Sequence, residues 1–202
     1  MEALVMTLGS GWVSGVRPYF MVFLLGLAGR VLGLEQVPEV LQRTDLLVIT
    51  GILLLVDLAA DKIAFLDSFW DQLHLIVRPV AGGAIGYLLG GETDTTTAIV
   101  MAVIGAATAF GSHAVKSTTR AAVNISPEPV SNVVVSTGED LAAVVMGVLT
   151  VLLPALAAVI AVLLLACGIW VMVRLHRRYR HLRARAREAR EVRSARGADP
   201  LA

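Results

Sequence analysis

The sequence predicts an all-α, polytopic helical membrane protein. It has about six membrane helices arranged as three hairpins, with an amphipathic interfacial helix. Three observations predict this. The first is composition: 56% of the 202 residues are hydrophobic and only 16% are charged, against roughly half and about a quarter in an ordinary soluble domain. The second is a series of apolar runs, each bounded by proline, glycine or charge. The third is that cationic and acidic junctions alternate in step with those runs, as they do where loops lie on alternate sides of a bilayer.

The N-terminal stretch MEALVMTLGSGWV lacks the basic segment of a signal peptide and is expected to be retained. The apolar runs cover 19–34, 46–60, 79–90, 97–115 and 141–173. The last would be a helix of about 50 Å at ~1.5 Å per residue, too long for one crossing. Pro154 interrupts it, so two helices are expected to meet there.

Val-Arg-Pro occurs at 16–18 and again at 77–79. Each triplet is followed by an apolar run, a short acidic loop and a second apolar run. These second runs end in DLAADK (57–62) and GSHAVK (111–116). A third unit opens at SPEP (126–129) and ends at Arg174. Proline suits the first turn of a helix, where its missing N–H has no intrahelical partner to lose. The expected organisation is a membrane domain over 1–173, with hairpin repeats at 16–62, 77–116 and 126–174, and a basic cytoplasmic tail over 174–202.

Between the first two hairpins, Asp67, Asp71, His74 and Arg78 recur at helical spacing opposite Phe69, Trp70, Leu73 and Val77. This reads as a helix lying in the cytoplasmic interface. Its role is either an anchor linking hairpins or a gate that contacts headgroups.

One side of the three-hairpin layout holds Arg17, Lys62, Arg78, Lys116 and Arg120. It also holds the ten arginines from Arg174 to Arg196, out of 17 Lys and Arg in all. The opposite loops, EQVPEVLQRTD and GETDTTT, are mostly acidic. Cytoplasmic loops carry the excess of cations, so both termini are expected in the cytoplasm. Within the tail, Tyr179 is the lone aromatic platform, so nucleic acid is not an expected partner. Membrane lipids are. Trp12 and Trp170 read as interfacial aromatics.

The polar residues inside this apolar chain form the candidate site. Asp57 and Asp61 share one helix face, and Lys62 follows. His113, Lys116 and Arg120 recur one turn apart, and Asn124 lies beyond them. A helix entered at Pro129 would carry Ser131, Asn132, Ser136, Glu139 and Asp140, with the carboxylates about 15 Å along it. Ionisable groups at that depth cost at least ~2.5 kcal/mol and face a cavity or a partner. The alternative is a helix starting near Gly138, with both carboxylates in its first turn complementing the dipole. KSTTRAAVNISPEPVSN (116–132) would then connect helix ends. On the cavity reading it is a bent, partly re-entrant element closing the cytoplasmic end of a polar cavity.

The segments VRPY, ADKIAFLDSFWDQLH, VRPVAGG, KSTTRAAVNISPEPVSN and STGED resemble domain-of-unknown-function family 4126, a group of bacterial multi-pass membrane proteins. The resemblance covers 15–151. It implies a polytopic protein of the bacterial inner membrane and implies no activity. Many members have proline after Asp-Lys-Ile, where this chain has Ala64. The arginine-rich tail is outside the pattern.

Gly82, Gly86 and Gly90 form a small-residue seam, and Gly105 and Ala109 repeat the spacing. Such seams pack helices within one chain or join a homo-oligomer. The chain has no phosphate-binding loop, nucleophile elbow or dinucleotide fingerprint. His74, His113, His176 and His181 form no metal-binding pattern, and no cofactor is implied. The expected function is a small transporter or channel for a small ion, an anionic solute or a lipid headgroup. The alternatives are an intramembrane enzyme acting on lipid, or a non-catalytic structural or assembly protein.

Overall fold

The computed structural model describes residues 1–60, 64–91, 94–123 and 129–197, with the backbone alone at 64–71, 121–123, 129–133, 178–179 and 181–197. Among the described residues every regular element is helical. They are α1 (Glu2–Val16), α2 (Pro18–Leu32), a 3-10 turn (Glu39–Gln42), α3 (Thr44–Ala60), α4 (Ala64–Gly91), α5 (Thr95–Val123), α6 (Pro129–Leu152) and α7 (Pro154–Gly197). Residues Met1–Leu165 form one compact unit and Ala166–Ala202 a second.

Proline sets three of the helix boundaries. Arg17, held out of the helical region by the following proline, has φ −141° and ψ 83°, ending α1 and preceding α2. Pro154 opens α7, leaving Leu153 as the only residue between α6 and α7. Pro129 opens α6, so Glu139 and Asp140 lie well inside that helix and are not in its first turn. Gly33 closes α2 in the left-handed conformation, φ 63°, which glycine adopts without steric cost.

The second Val-Arg-Pro behaves differently. Pro79 lies inside α4, which runs unbroken from Ala64 to Gly91. There is no separate interfacial helix ending at Pro79. His74 and Arg78 are fully buried within unit 1, so the charged stripe expected at the interface faces inward there. Asp67 and Asp71 carry no described side chain. The sequence repeat is therefore not a repeat of backbone geometry.

α1 was not among the expected spans, and it is central. It packs against α5, α4, α6 and α2. Its buried face is made of small and hydroxyl residues, Thr7, Gly9, Ser10, Gly11, Ser14 and Gly15, with Met6, Val13 and Val16 in the apolar core. A Cβ at Gly15 would stand 1.8 Å from Ser112 Oγ and 2.2 Å from the Ala109 carbonyl. Only glycine permits that approach. At the other end of α1, Gly9 meets Thr150 near the end of α6. α2 runs the opposite way, with Phe20 and Leu24 against Gly147. The chain thus turns back on itself at Arg17, and Met1 lies at the end of unit 1 opposite Arg17.

Outward surfaces of unit 1 are apolar: Val48, Ile52 and Leu55 on α3, Ile76 and Val80 on α4, Val103 and Phe110 on α5, and Leu141 and Val145 on α6 are exposed. Several charged and polar side chains are buried instead, an inversion of the soluble pattern. Among the described residues, four helical stretches are long and apolar enough to cross a membrane: Gln72–Gly91, Thr95–Arg120, Val134–Leu152 and Pro154–Arg177. The six expected spans would add α2 and α3, which have 15 and 17 residues, at or below the lower limit of ~17 for a crossing. In unit 2, the Arg174 guanidinium stacks over Trp170 at 4.8 Å.

α5 begins at a capped turn. Asp94 accepts hydrogen bonds from the Thr97 backbone N–H (3.0 Å) and the Thr97 hydroxyl (2.7 Å). Those bonds, the hydroxyl's first, hold its carboxyl below the usual carboxylate range. A depressed value stabilises the fold above the unfolded pKa, and that contribution is lost as pH falls through the folded value. Asp94→Ala should therefore lower the melting temperature at pH 7. The gap from the unsubstituted protein should close as pH drops below about 3.9. A gap that persists at pH 2 would assign the effect to something other than the ionised cap.

Candidate functional site

The turn at Arg17 delivers a guanidinium into the interior, where it is 2% exposed. Its Nη1 donates to Asp57 Oδ2 of α3 at 2.6 Å. Its Nε donates to Asp140 Oδ1 of α6 at 2.8 Å, and Nη2 donates to the same oxygen. One side chain thus ties the α1–α2 junction to two other helices. The planar fork of arginine suits such bridging, which a lysine ammonium cannot reproduce.

Asp57 is itself buried, 1% exposed. Its second oxygen lies 3.6 Å from His74 Nε2 of α4. The Tyr19 ring meets the His74 ring edge-on at 5.5 Å. One turn beyond His74, Arg78 Nη1 donates to His113 Nδ1 of α5. A guanidinium can only donate, so Nδ1 is the accepting ring nitrogen in this contact and Nε2 is the one that faces other partners. Ser117 Oγ lies 3.5 Å from that Nε2.

Glu139 is next to Asp140 on α6. Successive residues of a helix point about 100° apart, so the two carboxylates serve different neighbours. Glu139 Oε2 accepts from Arg120 Nη2 at 3.0 Å and Nε at 3.2 Å. Lys116 Nζ lies 3.4 Å from the same oxygen. Lys116 also donates to the Val16 carbonyl, at 3.5 Å. Two cations one turn apart on α5 therefore converge on a single carboxylate oxygen.

Beside this cluster is a cavity of about 280 Å³. Lys116, Glu139, Ser112 and Thr119 give it a polar side, and Trp12, Val115, Ala142 and Leu165 an apolar one. Trp12 is half-buried, and its carbonyl accepts from Ser112 Oγ at 2.8 Å. Its ring lines this cavity, which is open to the outside beside Gly138.

Of the residues singled out in the sequence, Asp57, His74, Arg78, His113, Lys116, Arg120, Glu139 and Asp140 gather at one end of unit 1, with Ser136 buried nearby on α6. Asp61, Lys62, Asn124, Ser131 and Asn132 lie outside the residues whose side chains are described. The described part of 116–132 is regular helix: α5 continues to Val123 and α6 starts at Pro129. The remainder of the expected re-entrant element, 124–128, lies outside the described residues. In the sequence Arg17 is legible as a topology signal, and its place at the centre of the network is visible only in the fold. The available signal was a cation immediately before a helix-opening proline. Among the described residues no three His, Cys, Asp or Glu side chains are grouped to hold a metal ion.

Gly82, Gly86 and Gly90 are occupied within the chain: they face Gly105, Met101 and Ala98 of α5. Their seam joins α4 to α5.

The family described as Domain of unknown function (DUF4126) matches residues 4–174. The chain belongs to the DUF4126 family. The matched region takes in nearly all of α1 and the whole charged network. It ends where the arginine-rich tail begins. Comparison with curated proteins and with solved structures gives no match.

Proposed function

We propose that this DUF4126 protein is a small membrane transporter for an anion, with the charged end of unit 1 as its binding region. The observation that carries the reading is the convergence of Lys116 and Arg120 on Glu139. Ionisable side chains within apolar helices characteristically line the paths of ions and substrates. A carboxylate shared by two cations can release one of them to an incoming anion and keep the other. Neither step leaves the carboxylate buried alone, which would cost several kcal/mol. The bilayer is taken to be a bacterial inner membrane, crossed by α2–α7 as three hairpins with α1 inserted among them. The test is anion-driven current from proteoliposomes, with chloride, phosphate, acetate and decanoate as probes. Glu139→Gln should reduce the current of the active anion at least tenfold at equal incorporation. Glu35→Gln, in an exposed loop, should leave it unchanged. Currents no greater than those of empty liposomes for every anion would favour a structural or enzymatic role.

The charged end is proposed to face the cytoplasm, in keeping with the cationic bias of cytoplasmic loops. Because α1 runs toward that end, Met1 is then on the opposite side. This revises the cytoplasmic N-terminus expected from the sequence. Single cysteines replacing Glu2, Gln36 and Thr95, in a Cys167→Ser background, should react with an impermeant thiol reagent added to intact cells. A cysteine at Ser117 should react only after permeabilisation. Labelling at Ser117 in intact cells would invert the layout. Protection at position 2 alone would restore the N-terminus to the cytoplasm.

A further inference from the structure

We infer that the cavity between α1, α5, α6 and α7 binds a single-chain amphiphilic anion, an alkyl chain ending in a phosphate or carboxylate. This inference rests on the anion reading above and names its substrate class. Three observations support it. The first is polarity along the cavity. Lys116, Glu139 and Thr119 lie toward the charged end of unit 1, while Trp12 and Leu165 wall the apolar remainder. A lipid-like molecule has the same order of polarity, headgroup outward and chain inward. A free inorganic anion would find its hydration shell replaced by hydrocarbon over most of the wall.

The second observation concerns the sign of the charge. A bound anion can take Lys116, because Glu139 keeps two contacts from Arg120, at 3.0 and 3.2 Å. A bound cation would instead take Glu139 from both Lys116 and Arg120, two cations that are each about 5% exposed or less. Both already contact the one Glu139 oxygen, so a third cation brought there would be repelled by both at short range. Exchange with an anion avoids it.

The third is size and access. About 280 Å³ is just below the ~300–1,000 Å³ of cavities for drug-sized ligands, which suits one chain. Gly138 lines the cavity and is exposed, and a Cβ there would meet nothing within 4 Å. The wall is therefore open beside Glu139. A bulky side chain at Gly138 can fill the opening while leaving the ion pairs untouched.

The experiment uses the full chain with Trp70→Phe and Trp170→Phe, so that Trp12 is the only tryptophan, in phosphatidylcholine nanodiscs. Bromine quenches indole fluorescence at close range. 11-Bromoundecyl phosphate should quench Trp12 saturably, at a half-saturating concentration at least tenfold below that of 11-bromoundecanol. The alcohol controls for simple partition into the bilayer. Lys116→Met should raise the phosphate's half-saturating concentration to that of the alcohol. Gly138→Phe should remove the saturable quenching by the phosphate while helicity is unchanged. Excess inorganic phosphate should not displace the amphiphile. Equal quenching by phosphate and alcohol in the unsubstituted cavity would overturn the inference. So would saturable quenching that survives Gly138→Phe. Displacement by inorganic phosphate at matching concentration would also overturn it, by assigning the site to a free anion. The reading as a transporter fails separately: saturable quenching without anion current removes transport and keeps the binding site, and current without quenching does the reverse.

Discussion

Replacing Arg17 with methionine should destabilise the protein by about 3–5 kcal/mol, the range for breaking a buried ion pair from one side. The substitution keeps an unbranched apolar stem but withdraws the guanidinium from Asp57, which is 1% exposed, and from Asp140. Two carboxylates on α3 and α6 would then lose the cation they share. Arg17→Lys should recover only part of the loss, since a single ammonium cannot make both sets of contacts in one geometry. Arg17→Met combined with Asp57→Asn and Asp140→Asn should recover most of it, because the cation and the two carboxylates it binds are then all neutral. The measurement is reversible unfolding in detergent micelles, compared across the four proteins. If the triple variant is as unstable as Arg17→Met alone, the residue acts through packing and not through charge.

The parts of the fold legible in the sequence are those that follow from local chemistry. Proline lacks an N–H, so Pro18, Pro129 and Pro154 open helices wherever the chain runs next. Charges inside apolar runs are expensive without partners, so Asp57, His113, Lys116, Arg120, Glu139 and Asp140 stood out before their partners were known. The parts that were not legible depend on neighbours. α1 has too many glycine and hydroxyl residues to read as a span. A helix surrounded by other helices does not need bulky apolar side chains; it needs small ones, and Gly11 and Gly15 carry that information only once α5 is in place. The burial of His74 and Arg78 is not legible for a related reason. Helical periodicity separates a charged face from an apolar one, but it does not say whether the charged face meets water or the Asp57 and His113 side chains of neighbouring helices. The central role of Arg17 required the α1–α2 turn itself, which brings residues 40 and 123 positions away in sequence to one guanidinium.

Gly105→Leu should prevent stable folding altogether, a larger effect than loss of any single ion pair. A Cβ at Gly105 would stand 2.2 Å from the Gly82 carbonyl oxygen, and a Cβ at Gly82 would stand 2.6 Å from the Gly105 carbonyl oxygen. The two backbones are therefore in direct contact. Neither obstacle is a flexible side chain that can rotate away. α1 closes the third side, with Thr7 Cγ2 3.4 Å from the same position. Overpacking commonly costs ~1–3 kcal/mol when side chains can adjust. Here relief requires α4 and α5 to separate, so the cost should exceed that range. Separation would also pull His113 from Arg78 and carry Lys116 and Arg120 away from Glu139, since all three α5 residues lie beyond Gly105 on the same rigid helix. Gly138→Ala is the control. Its Cβ meets nothing within 4 Å, and alanine is favoured over glycine in a helix by about 1 kcal/mol, so this variant should melt at or slightly above the unsubstituted protein. Size-exclusion profiles and melting curves of the two variants side by side decide the matter. A monodisperse Gly105→Leu protein with an unchanged melting temperature would mean that α4 and α5 do not touch through their backbones, and the positions of Arg78 and His113 would have to be redrawn with them.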